Sequence, residues 1–210
     1  MSEADPDVID FLAGVEPGSR LDAIRAQRPQ ARENSQRSYL ALFAPKFPSG
    51  VSGQERHALA TFVAGLHGEP AIAGFYRAGI VNHNGGPGIV AAVDGEIARG
   101  ATEGPYGSYP KGPLSGEDRA GPIYRVSEAN RTALGARLSS AFEHAHLLIF
   151  RPRDASPAAL QSLLDAGWST TDIVTLSQLV AFLSFQIRVI AGLHALAADP
   201  TATPDRELSR

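Results

Sequence analysis

The segment 52–80 constrains the fold more than any other part of the chain, because it predicts two helices joined by a tight turn. Ser52 and Glu55 have the spacing of a capping box, in which each side chain accepts a hydrogen bond from the backbone of the other. Apolar residues then recur at the i, i+3, i+4, i+7 spacing of a buried helix face: Leu59, Phe62, Val63 and Leu66. Gly68 ends this helix, and Pro70 begins the next in a first turn, where proline is tolerated.

Helical signals also dominate the rest of the chain, and no segment shows a convincing period-2 pattern of a strand. Helices are predicted over 5–12, from Ser19 to near Pro29, and over 31–43, 87–99, 127–150, 156–165 and 169–197. The segment 100–122 is dense in Gly and Pro and is predicted to be irregular. The expected organisation is therefore all-α, with an N-terminal helical extension (1–50), a helical domain (51–198) and a flexible tail (199–210).

Composition narrows the class of protein. The 210 residues, 43% of them hydrophobic, suffice for one domain with appendages. A net charge of -3, with scattered Lys and Arg, argues against nucleic-acid binding. The absence of cysteine excludes disulfides, a thiolate nucleophile and thiolate metal ligands.

The distribution of apolar residues bears on targeting and on membrane insertion. The N-terminus MSEADPDVID lacks the basic-then-apolar order of a signal peptide, so a cytoplasmic location is expected. The segment 173–196 is long and apolar, but Gln178, Gln186 and Arg188 interrupt it. Because an arginine at mid-bilayer is costly, we expect a buried helix of a soluble protein.

The segment 52–80 resembles the core motif of the carboxymuconolactone decarboxylase (CMD) / alkylhydroperoxidase superfamily. In that family the first helix begins with an acid, and the second opens with Cys-x-x-Cys followed four residues later by His. The corresponding positions of this chain, in the same order, hold none of these residues: His57, Glu69, Ile72 and Tyr76. The helical frame is similar, and the redox residues are absent.

The resemblance extends to 156–196, which is similar to the family's second conserved block. That block has a short helix ending in Ala-Gly, followed by a long helix with a Phe-rich centre, an Arg and an Ala-Gly-Leu end. In this chain the corresponding residues of the long helix are Phe182, Phe185, Arg188 and 191–193. Ile187 replaces the usual Asn. The two blocks cover about half the chain and most resemble a cysteine-free branch of CMD-domain proteins that often accompany a cysteine-bearing alkylhydroperoxidase-like partner.

The resemblance implies an oligomeric helical bundle and suggests where a site would lie. Thiol peroxidase chemistry is excluded, since neither Glu69 nor Ile72 can form a thiolate. His57, Glu69 and Tyr76 are the candidate catalytic residues of a rebuilt acid–base site, with His67 and Arg188 as candidate ligand-binding residues. In the simpler interpretation Glu69 caps a helix, His57 lies in an exposed first turn and Tyr76 packs. A buried Arg188 would need a carboxylate, and Glu69 and Glu55 are the candidates.

A second cluster, Glu143, His144 and His146, raises the question of a metal. The two histidines lie two residues apart and therefore point in different directions on a helix. Glu143 and His146 have the i, i+3 spacing of di-metal bundles, but the sequence has no second Glu-x-x-His. A solvated face or an intersubunit contact is favoured, a metal site is the less favoured alternative, and no metal or cofactor is predicted.

The sequence therefore predicts a redox-inactive CMD-like protein that acts as partner or scaffold of a catalytic homologue, or that binds a small ligand. The alternative is a divergent enzyme, peroxidase-related or lyase- or hydrolase-like, with a rebuilt acid–base site in the family pocket. The expected partners are further copies of the chain and a cysteine-bearing homologue.

Overall fold

The computed structural model describes residues 6–47 and 50–199, and this part of the chain is helical. The bounds of its nine α-helices are α1 Val8–Ala13, α2 Arg20–Ala26, α3 Pro29–Phe43, α4 Gly53–Leu66, α5 Pro70–Asn82, α6 Pro87–Gly100, α7 Glu128–Phe150, α8 Pro157–Asp165 and α9 Thr170–Ala198. Within those two ranges there is no strand, only an isolated antiparallel bridge between Gly107 and Arg119. The all-α prediction is confirmed.

The described residues divide into two compact units, of which the first contains 6–44 and 185–199 and the second 45–47 and 50–184. The predicted domains (1–50 and 51–198) have a similar first boundary, but they place the end of α9 with the main domain. The predicted tail begins at Asp199, and the rest of it, 200–210, lies outside the described residues.

Buried ion pairs hold the first unit together. The carboxylate of Asp10 in α1 binds Arg25 of α2 at 2.8 Å and also binds Arg32 of α3. Arg32 reaches Asp22 at 2.9 Å. Asp10 is only 7% exposed, so two guanidiniums compensate the cost of burying its charge.

The antiparallel hairpin of α4 and α5 lies at the centre of the second unit. Ser52 and Glu55 form the predicted capping box at the start of α4. The predicted apolar face is buried throughout: Leu59, Phe62, Val63 and Leu66. His67 ends the helix and Gly68 turns the chain with φ +74°, a left-handed conformation that favours glycine.

Helix α7 crosses α4 and α6 and is bent, which the sequence did not predict. Gly135 has φ 71° and ψ 171° and interrupts the helical geometry. Beyond it, the ring of Phe142 stacks on Phe62 of α4 with ring centroids 4.2 Å apart. Helix α7 also contacts α8 and, through His144, α9. It is therefore covered on two sides.

Arg137 ties the bent start of α7 to three other segments of the second unit. Its guanidinium binds Glu55 at 3.0 Å and the carbonyl oxygen of Gly50 at 2.9 Å. It also donates to the carbonyl of Gly167 and lies over the ring of Trp168, 3.8 Å from the centroid. Trp168 is 2% exposed and packs in the core of the second unit.

By length and composition, α9 is apolar enough to cross a membrane. Its most apolar window of 18 residues has a mean hydropathy of 1.7, and 44% of that window is buried. The core helix of a soluble protein can have the same length and hydropathy, so this single helix is weak evidence for a membrane span.

Candidate functional site

His57, a predicted catalytic residue, interlocks with His83 across the hairpin of α4 and α5. The two rings stack with centroids 4.6 Å apart, and their Nδ1 atoms donate to the carbonyls of Gly53 at 2.8 Å and Gly79 at 2.9 Å. Each ring lies against the other helix's glycine: a Cβ added at Gly79 would fall 1.9 Å from His57, and one at Gly53 would fall 2.1 Å from His83. His57 is half-buried, in contrast to the exposed first-turn position of the simpler interpretation.

Burial is the main cause that lowers the pKa of His57, and the charge of the neighbouring His83 lowers it further. The hydrogen bond to the Gly53 carbonyl opposes this shift without cancelling it. The imidazole is thus held neutral at pH 7 in a packing role.

The positions that correspond to the second cysteine and the histidine of the family motif are packed in the core. Ile72 is 2% exposed and Tyr76 is fully buried. The ring of Tyr76 lies 6.5 Å from that of His57, centroid to centroid, and 5.1 Å from that of Phe75.

Glu69 lies at the other end of the hairpin from His57. His57 packs on Gly79, ten residues further along α5, which corresponds to about 15 Å of helix. Glu69 precedes α5 but makes no capping hydrogen bond with its side chain. It lines a separate cavity of about 380 Å³ that also contacts Arg77 and Asp94. The three predicted catalytic residues are therefore not brought together.

The two predicted ligand-binding residues lie in different units. The Nε2 atom of His67 is 3.1 Å from the hydroxyl of Ser184. Arg188 is exposed on α9, so the premise that its charge is buried is wrong. Glu55, one of its two suggested partners, binds Ser52 and Arg137.

A buried carboxylate on α6 organises a polar network that the sequence analysis missed. Glu96 is completely buried and accepts hydrogen bonds from the hydroxyl of Tyr124 at 2.6 Å and the amide of Asn130 at 2.8 Å. Ser127 donates to it through both its backbone N–H and its hydroxyl. Arg99 approaches within 3.5 Å.

One sequence signal could have identified Glu96. It lies four residues from both Ala92 and Gly100, and all three positions are buried on one face of α6. A single charged residue on such a face requires buried partners. Tyr124 gives no comparable signal, because it belongs to the irregular segment before α7.

A cavity of about 290 Å³ lies beside α7, against the segment 122–125 and α8. Its polar lining residues are Tyr124, Arg125, Ser140, Glu143, His144, His146, Arg151, Asp154, Ser156 and Ser162. We call it the α7 cavity.

His144, at this cavity, has a defined tautomer and an unused nitrogen. Its Nε2 atom is 3.1 Å from the hydroxyl of Ser177, whose single hydrogen is donated to the carbonyl of Ile173 at 2.9 Å. Ser177 must therefore accept, and Nε2 must carry the proton. Burial lowers the pKa of His144, so the ring is neutral at pH 7. Its buried Nδ1 has no hydrogen-bond partner within the described part of the chain.

His146 reaches the same protonation state by a different route. Its Nε2 atom is 3.1 Å from the carbonyl of Gly100, which can only accept, so Nε2 is protonated. Burial lowers the pKa of His146; the Gly100 carbonyl opposes the shift, and the charge of Arg151 adds to it. The ring stacks on Tyr124 with centroids 4.6 Å apart. Its Nδ1 makes no hydrogen bond to residues 6–47 or 50–199.

The favoured prediction that these histidines lie on a solvated face is wrong. His144 is 6% exposed and His146 is 3% exposed. Positions two apart on a helix differ by about 200° in direction, and both are buried because α7 is covered on two sides. Glu143 is half-buried and pairs with Arg125 and Arg131. In the ranges that the structure describes, no three His, Cys, Asp or Glu residues form a metal-binding group.

Comparison of the chain with family models, with curated proteins and with solved structures finds no match. The arrangement of the residues themselves is therefore the basis for a functional proposal.

Replacing Glu96 by Gln is expected to destabilise the protein in a pH-dependent way. Burial alone would raise the pKa of Glu96, but hydrogen bonds from Ser127, Tyr124 and Asn130 outweigh it and hold the pKa below its ordinary value. The carboxylate therefore contributes stability above the unfolded-state pKa of about 4.3, and this is lost as pH falls through the lower folded-state value.

We expect Glu96→Gln to lower the free energy of unfolding at pH 7 by roughly 2 kcal/mol, the scale of a charged hydrogen bond. The deficit should shrink as pH falls below the unfolded-state value and through the lower folded-state value, because the wild type itself becomes protonated there. Denaturant unfolding at several pH values measures this. Glu128→Gln, at a 94% exposed carboxylate, is the matched control. A deficit independent of pH, or equal in the control, would contradict the assignment.

Proposed function

We propose that this chain is a redox-inactive relative of the CMD / alkylhydroperoxidase proteins and that it binds a small polar ligand in the α7 cavity. The relation rests on the residue order of the α4–α5 hairpin and of α8 and α9. Ligand binding rests on one observation: two buried, neutral imidazoles line one cavity, and the buried Nδ1 atom of His144 has no hydrogen-bond partner among the described residues.

The hairpin geometry favours this proposal over catalysis in the family pocket. Ile72 and Tyr76 are buried in the core, and the ring of His57 is occupied by its contacts with His83 and Gly79. An acid–base site needs groups within hydrogen-bond reach of one another or of one substrate. Glu69, at the far end of the hairpin, is not within that reach of His57.

The α7 cavity, in contrast, has the properties of a binding site. A buried acceptor without a donor costs free energy, commonly about 1–3 kcal/mol, and a ligand that donates a hydrogen bond recovers it. The Nε2 atoms of His144 and His146 are fixed by Ser177 and Gly100, so both rings are held in place before a ligand arrives. Such preorganisation lowers the cost of binding.

A specific observation also favours the role of partner or scaffold. Val174 is 56% exposed on α9. Gln178 and Ala181, four and seven residues further along the same helix face, are exposed as well. We propose that this stripe of α9 contacts another copy of the chain or a cysteine-bearing homologue.

Filling the α7 cavity is expected to abolish ligand binding. Ala159 lines the cavity from α8, and Ala159→Phe should occupy its space. A library of small polar fragments, followed by NMR of the histidine side chains, should give saturable shifts at His144 and His146 in the wild type and none in this variant. Gln161→Phe, on the same helix but outside the lining, is the control. Failure of every fragment, or unchanged shifts in Ala159→Phe, would contradict the proposal.

A charge placed on the α9 stripe is expected to weaken assembly. Val174→Glu would bury an unpaired carboxylate at the contact, which costs several kcal/mol, so the dissociation constant should rise at least about tenfold. Light scattering after size-exclusion chromatography measures this, for the chain alone and mixed with a cysteine-bearing homologue. Ala129→Glu adds the same charge to an exposed position of α7. A wild type that is monomeric in both experiments would rule out the partner role.

A further inference from the structure

The turn between α4 and α5 borders a second cavity, whose lining residues all differ from those of the α7 cavity. It lies against the end of α4, the first half of α5 and the second half of α6, within the second unit. Its volume of about 380 Å³ falls inside the range of small-molecule pockets. We call it the hairpin cavity.

Glu69 gives the hairpin cavity a carboxylate that the described part of the protein does not use. The residue is half-buried and lines the cavity from the position just before α5. Its side chain makes no capping hydrogen bond to that helix, and it forms no hydrogen bond or ion pair with any residue in the ranges 6–47 and 50–199. A carboxylate that is partly withdrawn from water attracts a cation more strongly than a fully exposed one, because the effective dielectric constant is lower.

The other charges of the lining cancel each other. Arg77 of α5 forms an ion pair with Asp94 of α6. Glu69 is the third charged residue of the lining, so the hairpin cavity carries one negative charge in excess. An occupant with a single positive charge complements this balance.

The lining favours an organic cation over a metal ion. Calcium takes roughly six to eight oxygen ligands, whereas no three His, Cys, Asp or Glu residues form a metal-binding group in the part of the chain that the structure describes. The uncharged lining includes the side chains of Pro70, Ala73 and Ile97 together with three glycines. These residues suit a short hydrocarbon body beside the charge.

Gly74 leaves room for that body. A Cβ built at this position of α5 meets no heavy atom within 4 Å, so the space in front of it is open. Glycine inside a helix is less stable than alanine, and helix formation therefore does not explain its presence. We propose that the hairpin cavity binds a small aliphatic amine, with its ammonium group on Glu69 and its hydrocarbon chain against Ala73 and Gly74.

Three probes with the same four-carbon chain separate charge from size. At pH 7 butylamine is positively charged, 1-butanol is neutral and butyrate is negatively charged. Titrations followed by NMR of the backbone amides of Gly68 and Gly74 should give saturable shifts with butylamine. Its dissociation constant should be at least about tenfold below those of the other two probes, since a hydrogen bond to a charged group contributes about that factor. The side-chain signals of His144 and His146, at the α7 cavity, should not move.

Glu69→Gln removes the charge and keeps the shape of the side chain. It should weaken butylamine binding at least about tenfold and leave 1-butanol unchanged. Glu128→Gln, at a 94% exposed carboxylate outside the lining, is the matched control and should change neither.

Gly74→Leu should fill the hairpin cavity and abolish the binding of butylamine. The free energy of unfolding should not fall, because leucine favours a helix more than glycine does. Gly88→Leu is the control, at an exposed position of α6 outside the lining where an added Cβ also meets nothing within 4 Å. If Gly74→Leu does not fold, Glu69→Gln still decides.

Each other outcome contradicts the proposal. Equal affinity for 1-butanol would overturn the role of the charge, and an equal loss in Glu128→Gln would overturn the assignment to Glu69. Butylamine binding that survives in folded Gly74→Leu would place the amine elsewhere on the protein. If butylamine gives no saturable shift, the amine site is overturned and the proposed function at the α7 cavity stands or falls by its own test.

Discussion

The site depends on the hydrogen bonds that the buried carboxylate of Glu96 accepts. A charge removed from water costs several kcal/mol unless hydrogen bonds replace its hydration. On α6 this charge is met by Tyr124, Ser127 and Asn130, all from the chain around the start of α7. Satisfying Glu96 therefore fixes where the irregular segment ends and where α7 begins, and it draws the residues before α7 against the helices of the second unit.

This constraint has a chemical consequence beside α7. Tyr124, held by Glu96, stacks on His146 and forms part of the wall of the α7 cavity. The covered position of α7 keeps His144 and His146 out of water, and burial lowers the pKa of both. Neutral imidazoles whose Nε2 atoms are already bound have only Nδ1 left to offer. A network built around one carboxylate thus shapes one wall of a small cavity that is lined by two neutral imidazoles.

Features that depend on residues close together in the sequence could be predicted. Features that depend on which distant residues pack together could not. The cap of Ser52 and Glu55 and the buried face of α4 were predictable, because both follow from spacing along one helix. The burial of His144 and His146 was not, since it depends on which helices cover α7. Similarly, His57 has the residue type of a catalytic group, and only its fit against Gly79 indicates a packing role. Glu96 was predictable in part, from its position on an apolar face.

The protonation states of His144 and His146 test the account most directly. A long-range ¹H–¹⁵N NMR spectrum of the ligand-free protein at pH 7 distinguishes the two neutral tautomers and the charged form of each ring. The account predicts that both are neutral, with the proton on Nε2 and a free lone pair on Nδ1. A charged ring, or a proton on Nδ1 of either residue, would contradict it, because the α7 cavity would then present a donor where a ligand is expected to donate.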